Sequence, residues 1–144
     1  MSYTTDLVQG FADLLVDGAL AAYRPDGLPY GPAETGIYLG VMPPEPDRAI
    51  AINAYPVEDD DSIDAITGLQ FRLRAGRDVR QVDALADGLF DLLHNRRDFT
   101  VRGVYVALSW RQSQAWIGQD THGRMEITAN YYARTVRSAP HLHE

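Results

Sequence analysis

The sequence contains no cysteine, no lysine and no long run of apolar residues. The absence of cysteine excludes disulfides and thiolate metal sites. A helix that crosses a bilayer needs about 20 mostly apolar residues, and the chain has no such stretch. Residues 1–6 also lack the basic and apolar segments of a secretory signal. We therefore expect a protein that is made in a cytoplasm and has no membrane partner.

The charged residues are strongly biased in type. All 13 basic residues are arginine, 20 residues are aspartate or glutamate, and the formal net charge is −7. An acidic chain is not expected to bind the phosphate backbone of DNA, because that binding depends on clustered positive charge. Such a chain can still lie beside DNA without specific binding. The length of 144 residues is that of one ordinary domain, and no repeat or linker divides residues 1–144.

The hydrophobic pattern predicts two helices and six strands. The first helix is expected over about residues 5–22, and the second between a cap at Asp78 and a stop at Asn95. Gln81 stands three residues after Asp78, which is the spacing of a capping box. The strands are expected at residues 36–41, 49–55, 68–75, 101–110, 115–118 and 125–136. The order helix, three strands, helix, three strands predicts an α+β fold with a mainly antiparallel sheet packed against two helices.

One face of the third strand and one stripe of the second helix are apolar, and these two surfaces are expected to meet. Burying a Leu or Phe side chain is worth about 1.5–3 kcal/mol, so these rows outweigh single polar contacts. The other face of the third strand carries Arg72 and Arg74, which are expected to be exposed. The predicted core consists of Leu69, Phe71, Leu73, Val82, Leu85, Leu89, Leu93, Val104, Val106 and Leu108.

The sequence has no motif of catalysis or cofactor binding. The acidic run at residues 58–64 could attract a divalent cation, but it lacks the glycine and the distal glutamate of an EF-hand loop. His141 and His143 stand in a tail, about residues 138–144, that we expect to be flexible. Neither a nucleophile elbow nor a phosphate-binding loop is present. We predict no enzyme activity, no catalytic residue, no cofactor and no metal, with a solvated acidic loop at about residues 57–66.

The stretch "WIGQDTHGRMEITANYYA", residues 116–133, reads as two strands joined by a polar turn. It holds an acid and a histidine, Asp120 and His122, which suggest acid–base chemistry. One alternative is therefore a small cytoplasmic enzyme or ligand-binding domain that uses these two residues with Tyr131 and Tyr132. Such a site needs a pocket, and a hairpin turn does not by itself provide one. We interpret the stretch as a hairpin that forms a surface.

Four stretches resemble the tail-terminator family of long-tailed bacteriophages, whose members are also described as minor tail or minor capsid proteins. They are the N-terminal amphipathic helix, "MPPEPDRAIAINAYP", "GLQFRLRAGRDVRQVDALADGLFDLLHN" and "WIGQDTHGRMEITANYY". The resemblance covers about residues 7–132, and it does not extend to the acidic loop or the histidine-containing tail. In the last stretch, the family pattern of aromatic, glycine, charged turn, Gly-Arg and Asn-aromatic is held by Trp116, Gly118, Asp120, Gly123-Arg124 and Asn130-Tyr131.

This resemblance implies a structural virion protein that ends tail polymerisation. Family members form a homohexameric ring on the last ring of the tail tube and present the opposite face to the head connector. The implied partners are further copies of the chain, the major tail tube protein and the head–tail connector protein, while DNA passes through without specific binding. The implied location is the virion tail. A head–tail connector or neck subunit is a second reading within virion assembly.

Two charged groups are candidates for contacts in such a ring. Arginine holds carboxylates bidentately, and a contact between two different surfaces of one chain closes into a ring when the rotation allows. We predict that the arginines contact the acids of the next copy, and that the acidic loop points into the ring's lumen and stays mobile. The predicted interface residues are Arg72, Arg74, Arg77 and Arg80, and the predicted lumen residues are Asp59, Asp60, Asp61 and Asp64.

Overall fold

A computed structural model describes residues 2–144 of the chain. Within residues 2–144, two helices and seven strands follow one another in the order helix, four strands, helix, three strands. The elements are α1 (Tyr3–Asp17), β1 (Ala22–Tyr23), β2 (Gly36–Leu39), β3 (Ala49–Glu58), β4 (Asp64–Ala75), α2 (Val79–Leu93), β5 (Arg96–Val101), β6 (Val104–Gln119) and β7 (Met125–Val136). No helix among the described residues is long and apolar enough to span a bilayer.

The start of α2 is a capping box, as the sequence predicts. The Asp78 side chain accepts from backbone N–H groups at the helix start, and the Gln81 side chain accepts from the Asp78 N–H. These bonds satisfy donors that have no partner within the first turn of a helix. The Arg80 guanidinium and backbone N–H both donate to Asp78, and they lower the pKa of this carboxyl to about 2.

The first helix is shorter than predicted. Ser2 caps α1, with the Thr5 N–H donating to Ser2 Oγ at 3.0 Å. The helix ends at Asp17, and Ala19 follows in the left-handed region with φ of 58°. This reversal directs Ala22 and Tyr23 into the sheet as β1 instead of a last helical turn.

The seven strands form one sheet in the order β1-β2-β3-β4-β7-β6-β5. The prediction of a mainly antiparallel sheet is wrong, because the sheet is mixed: β1 and β2 pair in parallel, as do β2 and β3, while the other four pairings are antiparallel. Parallel neighbours usually need a helical crossover. Here proline-containing loops at residues 24–35 and 40–48 return the chain, so the sequence shows no helix that would have revealed the parallel pairs.

Two strand predictions are also corrected. The strand β5 was missed; it follows α2 through Asn95, which has φ of 60°, and it joins β6 through Arg102 and Gly103, both with positive φ. A two-residue turn of this kind matches the twist of a hairpin. The strands predicted at residues 101–110 and 115–118 are one strand, β6, whose register shifts at three places.

Both helices pack on one face of the sheet around a single hydrophobic core. Nine of the ten predicted core residues belong to it; the exception is Leu108, which is half-buried. A register shift between Val106 and Leu108 turns Ser109 inward instead, where its hydroxyl donates to the Leu93 carbonyl at 2.6 Å. A β-bulge reverses which side chains face the core, and the alternating pattern of the sequence does not reveal it.

Candidate interaction surfaces

The turn in the stretch "WIGQDTHGRMEITANYYA" is organised by Asp120. Its carboxylate accepts from the His122 N–H at 2.8 Å, from the Arg124 N–H at 2.9 Å and from Arg124 Nε at 2.8 Å. Burial acts to raise the pKa of Asp120, but these hydrogen bonds and the Arg124 charge outweigh it and lower the pKa to about 2. The acid is therefore an ionised structural group that shapes the turn.

Two buried arginines join this turn to the proline-containing loop before β3. Arg74 is 3% exposed and Arg124 is 4% exposed. The Arg74 guanidinium donates to the carbonyls of Pro43, Pro46 and Asp47, and Arg124 Nη1 donates to the Pro44 carbonyl at 2.7 Å. Proline lacks an N–H but keeps a strong acceptor, and a buried acceptor needs a donor. The loop and the turn thus form one fixed platform at this end of the sheet.

The prediction that Arg74 is exposed is wrong, and its burial removes it from any contact surface. The other three predicted interface arginines are exposed. Arg72 Nε donates to the buried Glu126 carboxylate at 2.7 Å, and Arg77 Nε donates to the His122 carbonyl at 3.1 Å. Arg80 pairs with its own helix cap, Asp78, at 2.6 Å. Arg77 thus contacts the turn of the platform and Arg72 contacts the strand that follows it, whereas Arg80 lies at the start of α2.

The acidic loop is shorter than predicted, because β3 continues to Glu58 and β4 begins at Asp64. The C-terminal tail, expected to be flexible, is docked against this acidic loop. The His143 N–H donates to the Asp61 carbonyl at 2.8 Å, and the Ile63 N–H donates to the His143 carbonyl at 3.0 Å. Within the acidic loop, the Ser62 N–H donates to Asp60 and lowers the pKa of that carboxyl. The acids are thus displayed on a hydrogen-bonded edge.

The arginines and the acidic loop lie at opposite ends of β4, which runs from Asp64 to Ala75. An extended strand rises about 3.4 Å per residue, so these ends are roughly 37 Å apart. The structure does not bring the two predicted contact groups together within one chain.

The residues of the alternative enzyme site do not converge either. Tyr131 is fully buried in the core against Phe71, whereas Tyr132 lies on the other face of the sheet against Trp110. Neighbouring residues of a strand point to opposite faces, so these two tyrosines cannot line one pocket. His122 is exposed in its turn. Among residues 2–144, no group of three or more His, Asp or Glu side chains is arranged to hold a metal ion.

The free edge of β6 is a surface that the sequence analysis missed. The pairing of β5 with β6 ends at Arg96 and Ser109, whereas β6 continues along β7 to Gln119. Beyond Ser109, one side of β6 therefore has no neighbouring strand in the part of the chain that the structure describes. Residues 112–119 carry no charge, and Trp116 is 55% exposed and Ile117 49% exposed. The sequence signal of this edge is the uncharged run "QSQAWIGQ", because exposed edge strands are usually protected from pairing with other chains by charged residues or proline.

The fold is shared with a solved protein assembly. One chain of a structure described as "Virion of native gene transfer agent (GTA) particle" superposes with a TM-score of 0.67 at 16% sequence identity, covering 94% of this chain and 99% of that chain. At this identity the likeness shows a common fold, here one that occurs in a virion protein. A comparison with curated proteins gave no match.

The sequence itself matches a family. Residues 14–137 fit the family described as "Bacteriophage tail terminator protein", and this span is most of the chain. The chain therefore belongs to the bacteriophage tail terminator family, as the resemblance of its motifs indicates. It is a structural protein of the phage virion tail, and it interacts there with other virion proteins.

Proposed function

We propose that this protein ends growth of the phage tail by forming a ring of six copies on the last ring of the tail tube. The opposite face of the ring then forms the tail-side joint to the head connector protein. The observation that carries this proposal is the family match over residues 14–137. The fixed platform around Arg74 and Arg124 supports it, because a joint between two assemblies needs loops that hold one conformation.

The protein performs this role without catalysis and without a cofactor. Asp120 is held ionised by three hydrogen bonds, His122 is exposed in a turn, and Tyr131 and Tyr132 point to opposite faces of the sheet. An acid–base site needs its groups within hydrogen-bond reach of one substrate atom. These positions support a hairpin that forms a contact surface.

The acidic loop borders the channel through which DNA passes. Asp59, Asp60, Asp61 and Asp64 form its charged edge, beside the docked C-terminal tail. Carboxylates repel the phosphate backbone, so DNA slides past them without specific binding. The net charge of −7 is consistent with a protein that does not retain DNA.

Arg72, Arg77 and Arg80 belong to a different surface of the ring. A direct contact between these arginines and the acidic loop of the next copy requires neighbours displaced by the length of β4, roughly 37 Å. With β4 parallel to the ring axis, as we propose, copies in a flat ring are not displaced in this way. We therefore assign the arginines to one axial face, where they meet the tail tube protein or the connector protein.

Polymerisation of the purified tail tube protein tests the proposal. Tubes grown with increasing amounts of this protein are expected to become shorter and to carry a ring at one end, as seen by electron microscopy. The variant Arg77→Glu/Arg80→Glu tests the arginine surface while keeping the buried platform intact. It is expected to shorten tubes less than the wild-type protein does. Tube lengths that do not depend on the added protein contradict the proposal.

A further inference from the structure

The row of core side chains that crosses the sheet continues beyond the core onto Trp116. Ile37, Ile50, Leu73 and Ile127 occupy facing positions on four neighbouring strands, and Trp116 is the next position in this row. The first four side chains are at most 3% exposed, whereas Trp116 is 55% exposed. The core thus ends in an uncovered aromatic side chain at the free edge of β6.

The other edge of the sheet also has an uncovered apolar patch. The strand β1 pairs with Gly36 and Ile37, so among the described residues the second half of β2 has no neighbouring strand on that side. Leu39 is 38% exposed and Val41 is 75% exposed. Residues 37–44 carry no charge. Leu39 stands two residues beyond Ile37, so this patch lies near the level of the row that ends in Trp116.

We propose that Trp116 and Ile117 of one copy pack onto Leu39 and Val41 of the next copy, and that this contact joins the subunits of the ring. The inference deepens the proposed function and rests on it. Both patches are apolar and uncharged, so they match in chemistry. They lie on different edges of the same sheet, so the contact is head-to-tail, and such a contact closes into a ring when the rotation between copies allows.

The contact is made by side chains more than by added backbone pairing. Register shifts occur in β6 between Arg111 and Ser113 and between Trp116 and Gly118. Bulges of this kind interrupt the regular row of donors and acceptors that strand addition needs. They leave a large aromatic side chain exposed, and tryptophan is among the residues that contribute most to protein interfaces.

The absence of native cysteine allows a direct test. Particles are assembled with the double variant Val41→Cys/Ile117→Cys, oxidised, and analysed on a non-reducing gel. The expected result is a ladder of crosslinked species that extends to six chains. Each single variant is expected to give no ladder, because a head-to-tail contact does not bring a residue next to its own copy. The control pair Val41→Cys/Val79→Cys uses another exposed valine, at the start of α2, and is expected to stay monomeric.

Three results overturn the contact: no crosslink in particles with normal tails and six copies, a crosslink in the Ile117→Cys single variant, or equal crosslinking of the control pair. The second result indicates a two-fold arrangement. If the double variant does not assemble, the variant Leu39→Cys/Gln114→Cys is assayed in the same way and decides the question. Leu39 and Gln114 lie in one row of facing positions across the sheet. Wild-type particles with other than six copies contradict the proposed function instead.

Discussion

The ring of Tyr55 lies across Gly68 on the neighbouring strand, and a Cβ atom added at Gly68 would be 2.4 Å from the ring's Cζ atom. This row continues to Tyr132 and Trp110, whose rings are 5.9 Å apart and nearly perpendicular. The Tyr55 hydroxyl donates to Asn130 Oδ1 at 3.2 Å. The glycine therefore allows an aromatic band on the face of the sheet opposite the helices.

Gly68→Ala is expected to destabilise the protein by about 1–3 kcal/mol, because the Tyr55 ring must move away from the new methyl group. Urea denaturation measures the change. The double variant Gly68→Ala/Tyr55→Ala is the control: without the ring, alanine at position 68 should cost much less. An equal cost in both backgrounds shows that the ring is not the cause.

Tyr131→Phe is expected to leave stability unchanged or to raise it by about 1 kcal/mol. The Tyr131 hydroxyl is buried and has no hydrogen-bond partner among residues 2–144. A buried polar group without a hydrogen-bond partner lowers the free energy of unfolding, and removing the group removes that penalty.

Tyr3→Phe is the matched comparison, because the Tyr3 hydroxyl bonds Thr67 Oγ1 at 2.7 Å and Thr135 Oγ1 at 2.6 Å. This variant is expected to lose about 1 kcal/mol. Thermal unfolding measures whether each substitution raises or lowers stability. A larger loss of stability for Tyr131→Phe than for Tyr3→Phe contradicts this assignment of the two hydroxyls.

Arg74→Met is expected to lose on the order of 3 kcal/mol, because three carbonyls lose their charged donor while the side chain volume is kept. Arg77→Met, on the exposed part of the platform, should change stability by less than about 1 kcal/mol. Chemical denaturation separates the two outcomes. If Arg74→Met is as stable as Arg77→Met, the buried arginine does not hold the proline-containing loop.

The pKa of Asp120 makes stability depend on acid pH. This carboxyl has a pKa of about 2 in the folded protein, below the value near 3.9 of an unfolded chain. Its contribution is fully present above about pH 4 and is lost as the pH falls through 2. Asp120→Asn should therefore be less stable than wild type at pH 7, with a difference that narrows below pH 4. Asp83→Asn, at an exposed position of α2, is the control. If the stability difference between Asp120→Asn and wild type stays constant from pH 7 to pH 2, the assignment is wrong.

Neutralising Asp59, Asp60, Asp61 and Asp64 to asparagine should leave tails of normal length but slow DNA ejection. The delay is expected to be larger at low salt, where charge interactions reach farther. Ejection is followed by the fluorescence of a DNA-binding dye outside the particles. Ejection at the wild-type rate at every salt concentration indicates that the acidic loop does not border the channel.

Local signals in the sequence predict local structure well here. The capping box at Asp78 and the apolar stripe of α2 locate that helix, because capping and periodicity act within a few residues. The family motifs lie in segments whose residue types set the hairpin and the second helix, so the family could be identified from the sequence.

Features that depend on distant residues could not be predicted. The parallel pairing of β2 with β3 depends on loops that carry no helix, and the inward turn of Ser109 depends on a bulge in β6. Arg74 alternates with Leu73 and so reads as exposed, yet the loop at residues 43–47 folds over it. The uncharged run at residues 112–119 marks the edge at Trp116, but that the edge is uncovered follows only from the short length of β5.

Cryo-electron microscopy of the head-proximal end of the tail tests the central claim most directly. We expect one six-fold ring of this protein between the last tube ring and the connector, with the acidic loop at the channel. Density that places the protein elsewhere in the particle, or a junction in which the tube contacts the connector without this ring, contradicts it.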